Sequence, residues 1–275
     1  MDNVITVSDV NFYYPNNNYI IANSDYILQN ISLTLPRGKI IAIMGSSGSG
    51  KTTLLQLISG QNKLQFGSIN ILNNELCDIT SKKLNELRKK IGMLFQFGAL
   101  FTDMTVYDNL AFALTHHTNL SNAFIDKIIA IKLHAVGLFG TQKLYPQQLS
   151  GGMARRVALA RALILDPQIM LYDEPFTGLD PISLNNIASV IKNLNDTLNL
   201  SSIIVTHDIK TSLQIADYIY FMANGKIVAS CDTKDKNIEA NPNIAAFLNG
   251  DSNKIFEFAY KTNINYNKYL KNIIH

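Results

Sequence analysis

Apolar and polar residues alternate along two stretches near the N-terminus, residues 4–10 and 26–35, and this period of two predicts half-buried strands. The segment between them, residues 15–24, is rich in asparagine and predicts a loop. A short apolar run at residues 39–44 predicts a fully buried strand, and helical spacing predicts a helix over residues 51–59. The N-terminal part is therefore predicted to be rich in strands that surround one helix.

The pattern changes between residues 97 and 150, where the apolar spacing is helical and no convincing strand interrupts it. We interpret residues 97–150 as an inserted helical subdomain, with helices at residues 106–114 and 123–136. The elements predicted before it are a strand at 68–72, a polar helix from its cap Thr80 through residue 90, and a strand at 91–95.

Helices and strands alternate again after residue 150. Strands that alternate with helices predict a mostly parallel sheet that is covered on both faces, which is the α/β class. Asn224 and Gly225 are the preferred pair for a tight hairpin turn. The predicted order is helix 151–165, strand 168–172, helix 181–198, strand 202–205, helix 209–216, and a hairpin of residues 218–223 and 226–230.

The last residues, 251–275, have too few apolar positions for a core of their own. They are predicted to form a C-terminal tail that is separate from a domain of residues 1–250. Aromatic side chains supply large contact area at low entropic cost, so one hypothesis is that this tail docks on a second copy of the chain. The alternative is a frayed terminus. The interleaved aromatic residues are Phe256, Phe258, Tyr260, Tyr266 and Tyr269.

Composition excludes several classes of protein. With 47% hydrophobic and 16% charged residues, the chain has ample material for a core and does not fit a disordered protein. The net charge of +3 comes without a dense stripe of lysine and arginine, so we expect no nucleic-acid partner. The two cysteines, Cys77 and Cys231, suggest a reducing compartment. We expect no signal peptide and no membrane span, so any spans at a membrane would come from other subunits.

The residues after the predicted strand 39–44 fit the pattern of a phosphate-binding loop between a strand and a helix. Small residues let successive backbone N–H groups curl around a phosphate, and the helix directs its positive end at the same anion. Lys51 is expected to reach the β- and γ-phosphates, and the Thr52 hydroxyl to ligate Mg²⁺. The alternative is a flexible turn with a chance lysine. The loop residues are Gly45, Ser46, Ser47, Gly48, Ser49, Gly50, Lys51 and Thr52, followed by Thr53.

Two carboxylates end the apolar strand near residue 172. Asp173 is placed to hold Mg²⁺ through water, and Glu174 to activate an attacking water as a general base. The alternative is an ordinary buried strand with polar residues at its exit. A phosphate-binding loop earlier in the chain favours the chemical interpretation.

A second candidate anion site lies at the start of the helix predicted from residue 151. Ser150, Gly151 and Gly152 can cradle an anion at that helix N-terminus. The alternative is a plain helix cap, in which Ser150 satisfies free N–H groups. Because the chain has one phosphate-binding loop, the second cradle is best explained if it serves the nucleotide of another copy.

Together these motifs resemble the ATP-binding-cassette (ABC) ATPases, from about residue 4 to residue 229. The sequence Leu-Ser-Gly-Gly at residues 149–152 is the motif that identifies that family. The resemblance implies that Tyr14 stacks on adenine, with neighbouring Tyr13 as a rival. It also implies a Q-loop glutamine, Gln96, that touches Mg²⁺ and water, a D-loop ending at Asp180, and a switch histidine, His207, on the γ-phosphate.

A closer similarity is to the ATPases of the Mla (maintenance of lipid asymmetry) phospholipid transport system. It is carried by residues 91–106, 133–138, 149–156 and 173–181. Met153 follows the Leu-Ser-Gly-Gly motif where most ABC transport ATPases have glutamine, and it agrees with the Mla type.

The resemblance implies an α/β P-loop NTPase with a mostly parallel core sheet, an N-terminal antiparallel β part and an inserted helical subdomain. It implies ATP and Mg²⁺ as substrate and cofactor, and a dimer with two nucleotides sandwiched between copies. It further implies a permease, MCE-domain and STAS-domain subunits, a peripheral position on the cytoplasmic face of a Gram-negative inner membrane, and phospholipid transport between inner and outer membrane.

Two alternatives stay open. One is an ABC ATPase for another cargo, such as a lipoprotein or an amino acid. The other is a soluble ABC ATPase that moves no cargo. Against the second, the chain lacks the long coiled coils or zinc cysteines of DNA-repair members and the paired P-loops of translation factors.

Overall fold

A computed structural model describes residues 2–14, 26–235 and 238–248. The asparagine-rich loop and the C-terminal tail predicted above lie outside the described residues. The strands are β1 (Asn3–Phe12), β2 (Leu28–Pro36), β3 (Ile40–Gly45), β4 (Phe66–Ile71), β5 (Asn74–Glu75), β6 (Ile91–Leu94), β7 (Ile169–Asp173), β8 (Ser201–Thr206), β9 (Tyr218–Ala223) and β10 (Lys226–Asp232). The helices are α1 (Lys51–Ile58), α2 (Ser81–Arg88), α3 (Val106–His117), α4 (Asn122–Ala135), α5 (Gly151–Ala162), α6 (Pro181–Leu198), α7 (Ile209–Ile215) and α8 (Pro242–Leu248).

The strands form two sheets, as the sequence predicts. An antiparallel sheet has the order β2-β1-β4-β5, and a six-stranded sheet has the order β10-β9-β3-β8-β7-β6. In the larger sheet the neighbours from β9 to β6 are parallel, and β10 joins the edge as the second strand of the predicted hairpin. The carboxyl ends of five parallel strands therefore meet at one edge.

Two apolar layers cover the two faces of the parallel sheet. Side chains alternate along β3, so Ile41 and Ile43 pack with α1 and the antiparallel sheet. Ile40, Ala42 and Met44 face the opposite layer, which is formed with the longer helices. Because both faces are covered, the strand is apolar throughout, which is the pattern that predicted it.

The helical insert is confirmed, since no strand lies between residues 97 and 150, all of which are described. Its helices pack against α5 through a shared apolar layer. Asn109, which is 1% exposed, donates from its amide to the carbonyls of Phe101, Met104 and Thr105. A buried amide with several partners fixes the loop before α3.

Helix α6 spans the parallel sheet from its carboxyl edge to its base. Asp180 caps its start, and its side chain accepts from the backbone N–H groups of Ile182 and Ser183, both at 3.0 Å. Near the other end, the buried Asn195 donates to the carbonyl of Gly38 at 3.2 Å and accepts from the hydroxyl of Ser202 at 2.6 Å. Both ends of the helix are therefore held by side-chain hydrogen bonds.

Several boundaries differ from those expected. Helix α5 ends at Ala162 rather than at residue 165, because the chain turns at Leu163 and reaches Asp166 with a left-handed φ of 51°. Helix α2 ends at Arg88 because the next strand begins at residue 91. Helix α8 was not predicted, and its Phe247 ring lies 5.2 Å from that of Phe221 on β9.

Candidate active site

The candidate catalytic residues meet at the carboxyl edge of the parallel sheet. The loop after β3 carries Lys51, β7 ends in Asp173, and Glu174 follows it. Gln96 lies just beyond β6, and His207 just beyond β8. Clefts at this edge are where open α/β sheets bind their ligands. The structure thus brings together groups that lie as far apart in the sequence as residues 45 and 207.

The loop of residues 45–50 is shaped by close backbone contacts. A Cβ on Gly45 would come within 2.3 Å of the carbonyl oxygen of Met222, so only glycine fits there. Gly50 has φ 98°, and it precedes α1 without a side-chain cap. The first N–H groups of α1 are therefore left for a ligand.

Ser49 supports the same conclusion. Its Oγ atom is buried and lacks a hydrogen-bond partner among the described residues. An orphaned buried hydroxyl beside free backbone N–H groups fits a phosphate, which accepts several hydrogen bonds at once.

Lys51 is folded under this loop. Its Nζ atom donates to the carbonyls of Gly45 at 2.9 Å and Ser46 at 2.8 Å, and the residue is only 6% exposed. Burial lowers the pKa of its amine, and the nearby charges of Glu174 and Asp173 oppose that shift. An ammonium has three donors, so one remains for an anion in the loop.

The side-chain oxygens of Thr52 and Asp173 lie next to each other in the cleft. The Thr52 hydroxyl donates to Asp173 Oδ1 at 3.0 Å. Burial raises the pKa of the Asp173 carboxyl. Hydroxyl and carboxylate oxygens are ligands that Mg²⁺ prefers, so this pair fits the expected ion.

The protein supplies few ligands for such an ion. Among the residues that the structure describes, no group of three or more His, Cys, Asp and Glu side chains could hold a metal. Mg²⁺ usually keeps several waters and takes further oxygens from phosphates, so the Thr52 and Asp173 oxygens need no larger cluster of protein ligands around them.

Glu174 is held in a strained backbone conformation. Its φ is 48°, which costs a residue with a side chain roughly 1–3 kcal/mol. The N–H of Glu174 donates to the carbonyl of Val205 on β8 at 2.9 Å. Its Oε2 atom accepts from the Thr177 hydroxyl at 3.1 Å and lies 2.9 Å from Nδ1 of His207. The carboxylate is therefore oriented from two sides.

Tyr13 and Tyr14 have different surroundings. The Tyr14 hydroxyl donates to Gln56 Oε1 at 3.1 Å and lies 3.4 Å from Thr53 Oγ1, so the ring lies along α1. The Tyr13 ring instead packs edge-on against Tyr26, with centroids 5.8 Å apart. Of the two, Tyr14 lies beside the helix that follows the phosphate-binding loop.

The second cradle is separate from the first. Ser150 caps α5 by accepting from the N–H of Met153 at 3.3 Å, and both Ser150 and Gly151 are exposed. A Cβ on Gly151 would meet nothing within 4 Å. Within the described ranges, no hydrogen bond joins residues 149–152 to the loop of residues 45–52. The capping interpretation of Ser150 is therefore confirmed, and the use of this exposed cradle by a second copy stays a prediction.

Arg155 and Thr177 were not predicted as site residues. The Arg155 guanidinium is buried and donates to the backbone carbonyls of Gln96 and Thr177. A signal was available, because Arg155 precedes Ala158 and Leu159 by three and four residues and so lies on the apolar face of α5. Thr177 gave no comparable signal, since its role depends on the strained turn at Glu174.

Comparison with known proteins agrees with this geometry. Residues 28–177 match the family described as ABC transporter, and the chain belongs to that family as one of its ATP-binding subunits. It is therefore an ATPase that uses ATP and Mg²⁺. Cassettes of this family form dimers and work with a membrane permease.

Within the family, the chain is similar to proteins named intermembrane phospholipid transport system ATP-binding protein MlaF. It is 48% identical over 234 residues to the one from Haemophilus influenzae, covering 85% of this chain and 89% of that protein. It is 43% identical over 258 residues to the one from Escherichia coli K12, covering 94% and 93%. Among solved structures, the dimeric post-hydrolysis state of the ATP-binding cassette MJ0796 bound to ADP and Pi matches with a TM-score of 0.76 and 30% identity, covering 84% of this chain and 99% of that one.

Proposed function

We propose that this chain is the ATP-hydrolysing subunit of a transporter that moves phospholipid between the inner and outer membranes of a Gram-negative bacterium. The observation that carries the hydrolytic part is the meeting of Lys51, Asp173 and Glu174 at one sheet edge. The similarity to relatives named for phospholipid transport supports the cargo. A different cargo remains the alternative that a transport assay decides.

Each site residue has a role in this proposal. Lys51 supplies a positive charge and a free donor to the β- and γ-phosphates, and Tyr14 stacks on the adenine. Thr52, Asp173 and Gln96 hold Mg²⁺, which when bound neutralises charge on the phosphate oxygens. The residues that line the phosphate are Gly45, Ser46, Ser47, Gly48, Ser49, Gly50, Lys51, Thr52 and Thr53.

Glu174 acts as the general base. Its Oε2 atom is occupied by the Thr177 hydroxyl and by His207, so Oε1 is left to accept a proton from the attacking water. The exposed ring of His207 reaches from this carboxylate toward the γ-phosphate. The two contacts on Oε2 hold the base in place before the nucleotide closes the site.

A second copy completes each site. Ser150, Gly151 and Gly152 approach the nucleotide that is bound by the other copy's loop, and Asp180 lies at the same face. Asp180 is exposed, and its hydrogen bonds to Ser183 lower the pKa of its carboxyl. The dimer closes on ATP and opens after hydrolysis, which is the power stroke.

The permease docks next to Gln96 in this proposal. A groove of about 380 Å³ lies between the exit of β6 and helix α3, and Phe95, Phe101 and Phe112 line it. Phe97 follows the lining residue Phe95 by two positions and is 85% exposed. Apolar grooves of this shape suit an amphipathic helix of a partner. Movement of that helix would then reach Gln96 directly.

Further partners and the location follow from the same proposal. MCE-domain and STAS-domain subunits complete the transporter, nucleic acid is not a partner, and residues 1–250 act as the ATPase domain with 251–275 as a separate tail. No helix in the described part of the chain is long and apolar enough to cross a membrane. The chain sits peripherally at the cytoplasmic face of the inner membrane through its permease.

The test is lipid transfer by the reconstituted complex. Phe97→Ser should uncouple the chain, so that its own ATPase activity persists while permease association and phospholipid transfer between vesicles fall. The matched control is Phe124→Ser, which also removes an exposed aromatic ring, on α4. Equal transfer by the wild type and Phe97→Ser would reject the docking site. A complex that hydrolyses ATP but moves no phospholipid would reject the cargo.

A further inference from the structure

Arg155 is a buried cation that pairs with no carboxylate among the residues that the structure describes. It is 7% exposed, and no ion pair within the described ranges includes it. Its Nη1 atom donates to the carbonyl of Gln96 and, at 3.4 Å, to that of Phe95. Its Nη2 atom donates to the carbonyl of Thr177 at 3.0 Å. In the described part of the chain, the guanidinium charge is thus met by backbone carbonyl dipoles.

Burying this charge is an unfavourable way to stabilise the fold. Burial disfavours the charged form, and it lowers the pKa of Arg155. Replacing buried charges by apolar side chains of similar size is often neutral or stabilising. What the guanidinium supplies that an apolar side chain cannot is a fixed geometry between separate loops.

The three segments joined at Arg155 belong to two different nucleotide sites. Arg155 itself lies on α5, five residues after Ser150, whose cradle faces the partner's nucleotide. Gln96 and Thr177 belong to the site of the same chain. The Thr177 hydroxyl in turn donates to Glu174 Oε2 at 3.1 Å. A continuous path of hydrogen bonds therefore leads from the partner-facing helix to the base.

We propose that Arg155 is a positioning residue that couples the cradle of Ser150–Gly152, and hence the partner's nucleotide, to Glu174 and Gln96 of its own chain. This inference rests on the roles given above to those residues. When the cradle closes on the partner's nucleotide, α5 moves with it, and the two arms of the guanidinium carry Gln96 and Thr177 along. Each site is thereby set for hydrolysis when the opposite site is filled.

The planar fork is essential to this role. Arginine holds two loops at once because its Nη atoms lie at fixed positions, whereas lysine offers one point charge on a flexible stem. Arg155→Lys keeps the charge and loses the bridge. Arg161→Lys is the matched control, because Arg161 lies on the same helix and donates to the carbonyls of Gly98 and Ala99 at 2.8 and 2.9 Å without reaching Thr177.

The first measurement compares steady-state ATP hydrolysis by the full-length chains. Arg155→Lys should lower kcat by about 10- to 100-fold, the cost of a base misplaced by about 1 Å, while KM and the melting temperature stay near the wild type. Arg161→Lys should stay within about threefold of the wild-type kcat. Equal losses in both variants, or a rise in KM and a drop in melting temperature for Arg155→Lys, would assign Arg155 a structural role only.

A double-mutant cycle tests whether Arg155 acts on Glu174 through Thr177. Thr177→Val removes the hydroxyl that contacts Glu174 and leaves the carbonyl that accepts from Arg155. If Arg155 acts through Thr177, the losses in kcat from Arg155→Lys and Thr177→Val should be less than additive, and additive losses would overturn the path. In a Glu174→Gln background, the Arg155→Lys variant should still form the ATP-bound dimer, as measured by light scattering. A failure to dimerise would show that Arg155 only supports the structure of the cradle.

The outcomes separate this inference from the proposed function. Wild-type turnover by Glu174→Gln would remove the base assignment itself. An inactive Glu174→Gln protein together with an Arg155→Lys variant that behaves like Arg161→Lys would leave the proposed function in place and overturn only the coupling.

Discussion

Nδ1 of His207 lies 2.9 Å from Oε2 of Glu174, across the exits of the neighbouring strands β7 and β8. The His207 side chain is 63% exposed and that of Glu174 only 12%. The contact joins Nδ1 to the carboxylate, and Nε2 is left at the other side of the ring. The histidine thus connects a sheltered carboxylate to the exposed edge of the sheet.

We expect His207→Ala to lower kcat by about 10²- to 10³-fold, since it removes both an orienting partner of Glu174 and a group near the transferred phosphate. KM for ATP and the melting temperature should change little, because the ring is exposed. His134→Ala, on the surface of α4, is the control. A kcat for His207→Ala within twofold of the wild type would contradict the assignment.

Lys51→Ala should abolish ATP hydrolysis and weaken nucleotide binding. The substitution removes the buried ammonium that lies under the loop, where electrostatic stabilisation dominates the rate of phosphoryl transfer. Binding can be followed with a fluorescent nucleotide, and Lys63→Ala is a control that removes an exposed lysine. Normal turnover by Lys51→Ala would reject the phosphate-binding loop.

Glu174→Gln should bind ATP normally, hydrolyse it about 10²- to 10⁴-fold more slowly and accumulate as a closed dimer. The amide keeps the shape of the side chain and loses the base. Light scattering with ATP should show a dimer for this variant where the wild type is mostly monomeric. The base lies elsewhere if the rate is unchanged.

The two sites should be shared between copies. Ser150→Arg places a bulky cation in the exposed cradle without touching the loop of its own chain, and it should lose activity. Gln147→Arg is the control, because it places the same cation on an exposed side chain three residues earlier, outside the cradle. Mixing Ser150→Arg with Lys51→Ala leaves one intact site in each heterodimer, so activity should partly recover. Full activity of Ser150→Arg alone would contradict a shared site.

We expect the charged carboxylate of Asp217 to stabilise the fold at neutral pH and to lose this effect in acid. Burial acts to raise the pKa of its carboxyl, but the N–H of Ile40 and the ammonium of Lys39 outweigh burial and hold it below the usual value. A carboxyl whose pKa is lower in the folded than in the unfolded chain stabilises the fold at pH values above its unfolded pKa, which is about 3.9. This stabilisation is lost as the pH falls through the folded pKa. Asp217→Asn should cost about 1–2 kcal/mol near pH 7, and the deficit should shrink below pH ~4.

Urea unfolding at a series of pH values measures that deficit. Asp196→Asn provides the control, since Asp196 pairs with Lys192 on the exposed face of α6. A deficit for Asp217→Asn that stays constant down to pH 3 would show that the charge of Asp217 does not contribute.

The sequence predicted the sheet and the helical insert, and it named most of the residues that lie together at the sheet edge, because those features depend on local pattern. The loop of residues 45–52 lies within one strand–helix unit, and the apolar run before it is covered on both faces. Arg155 was missed because its partners, Gln96 and Thr177, are 59 and 22 residues away. The left-handed backbone of Glu174 depends on a hydrogen bond to Val205 of a different strand, which no local pattern contains.

Tyr13 and Tyr14 mark the limit of what sequence can resolve. Both are tyrosines with similar exposure, and the sequence alone does not say which of them stacks on adenine. The distinction comes from Gln56 and Thr53 on α1, which contact Tyr14, and from Tyr26, which contacts Tyr13. The packing of Tyr14 along α1 favours Tyr14, and its stacking on adenine stays a prediction.

Helix α6 joins the carboxyl edge of the parallel sheet to its base. Its 18 residues span roughly 27 Å at a rise of about 1.5 Å per residue. Asp180 caps one end, and Asn195 is bonded to Gly38 and Ser202 near the other. A rod held in this way at both ends keeps the turn before β3 at a fixed distance from the start of α6, so the two ends of the parallel sheet are braced against each other.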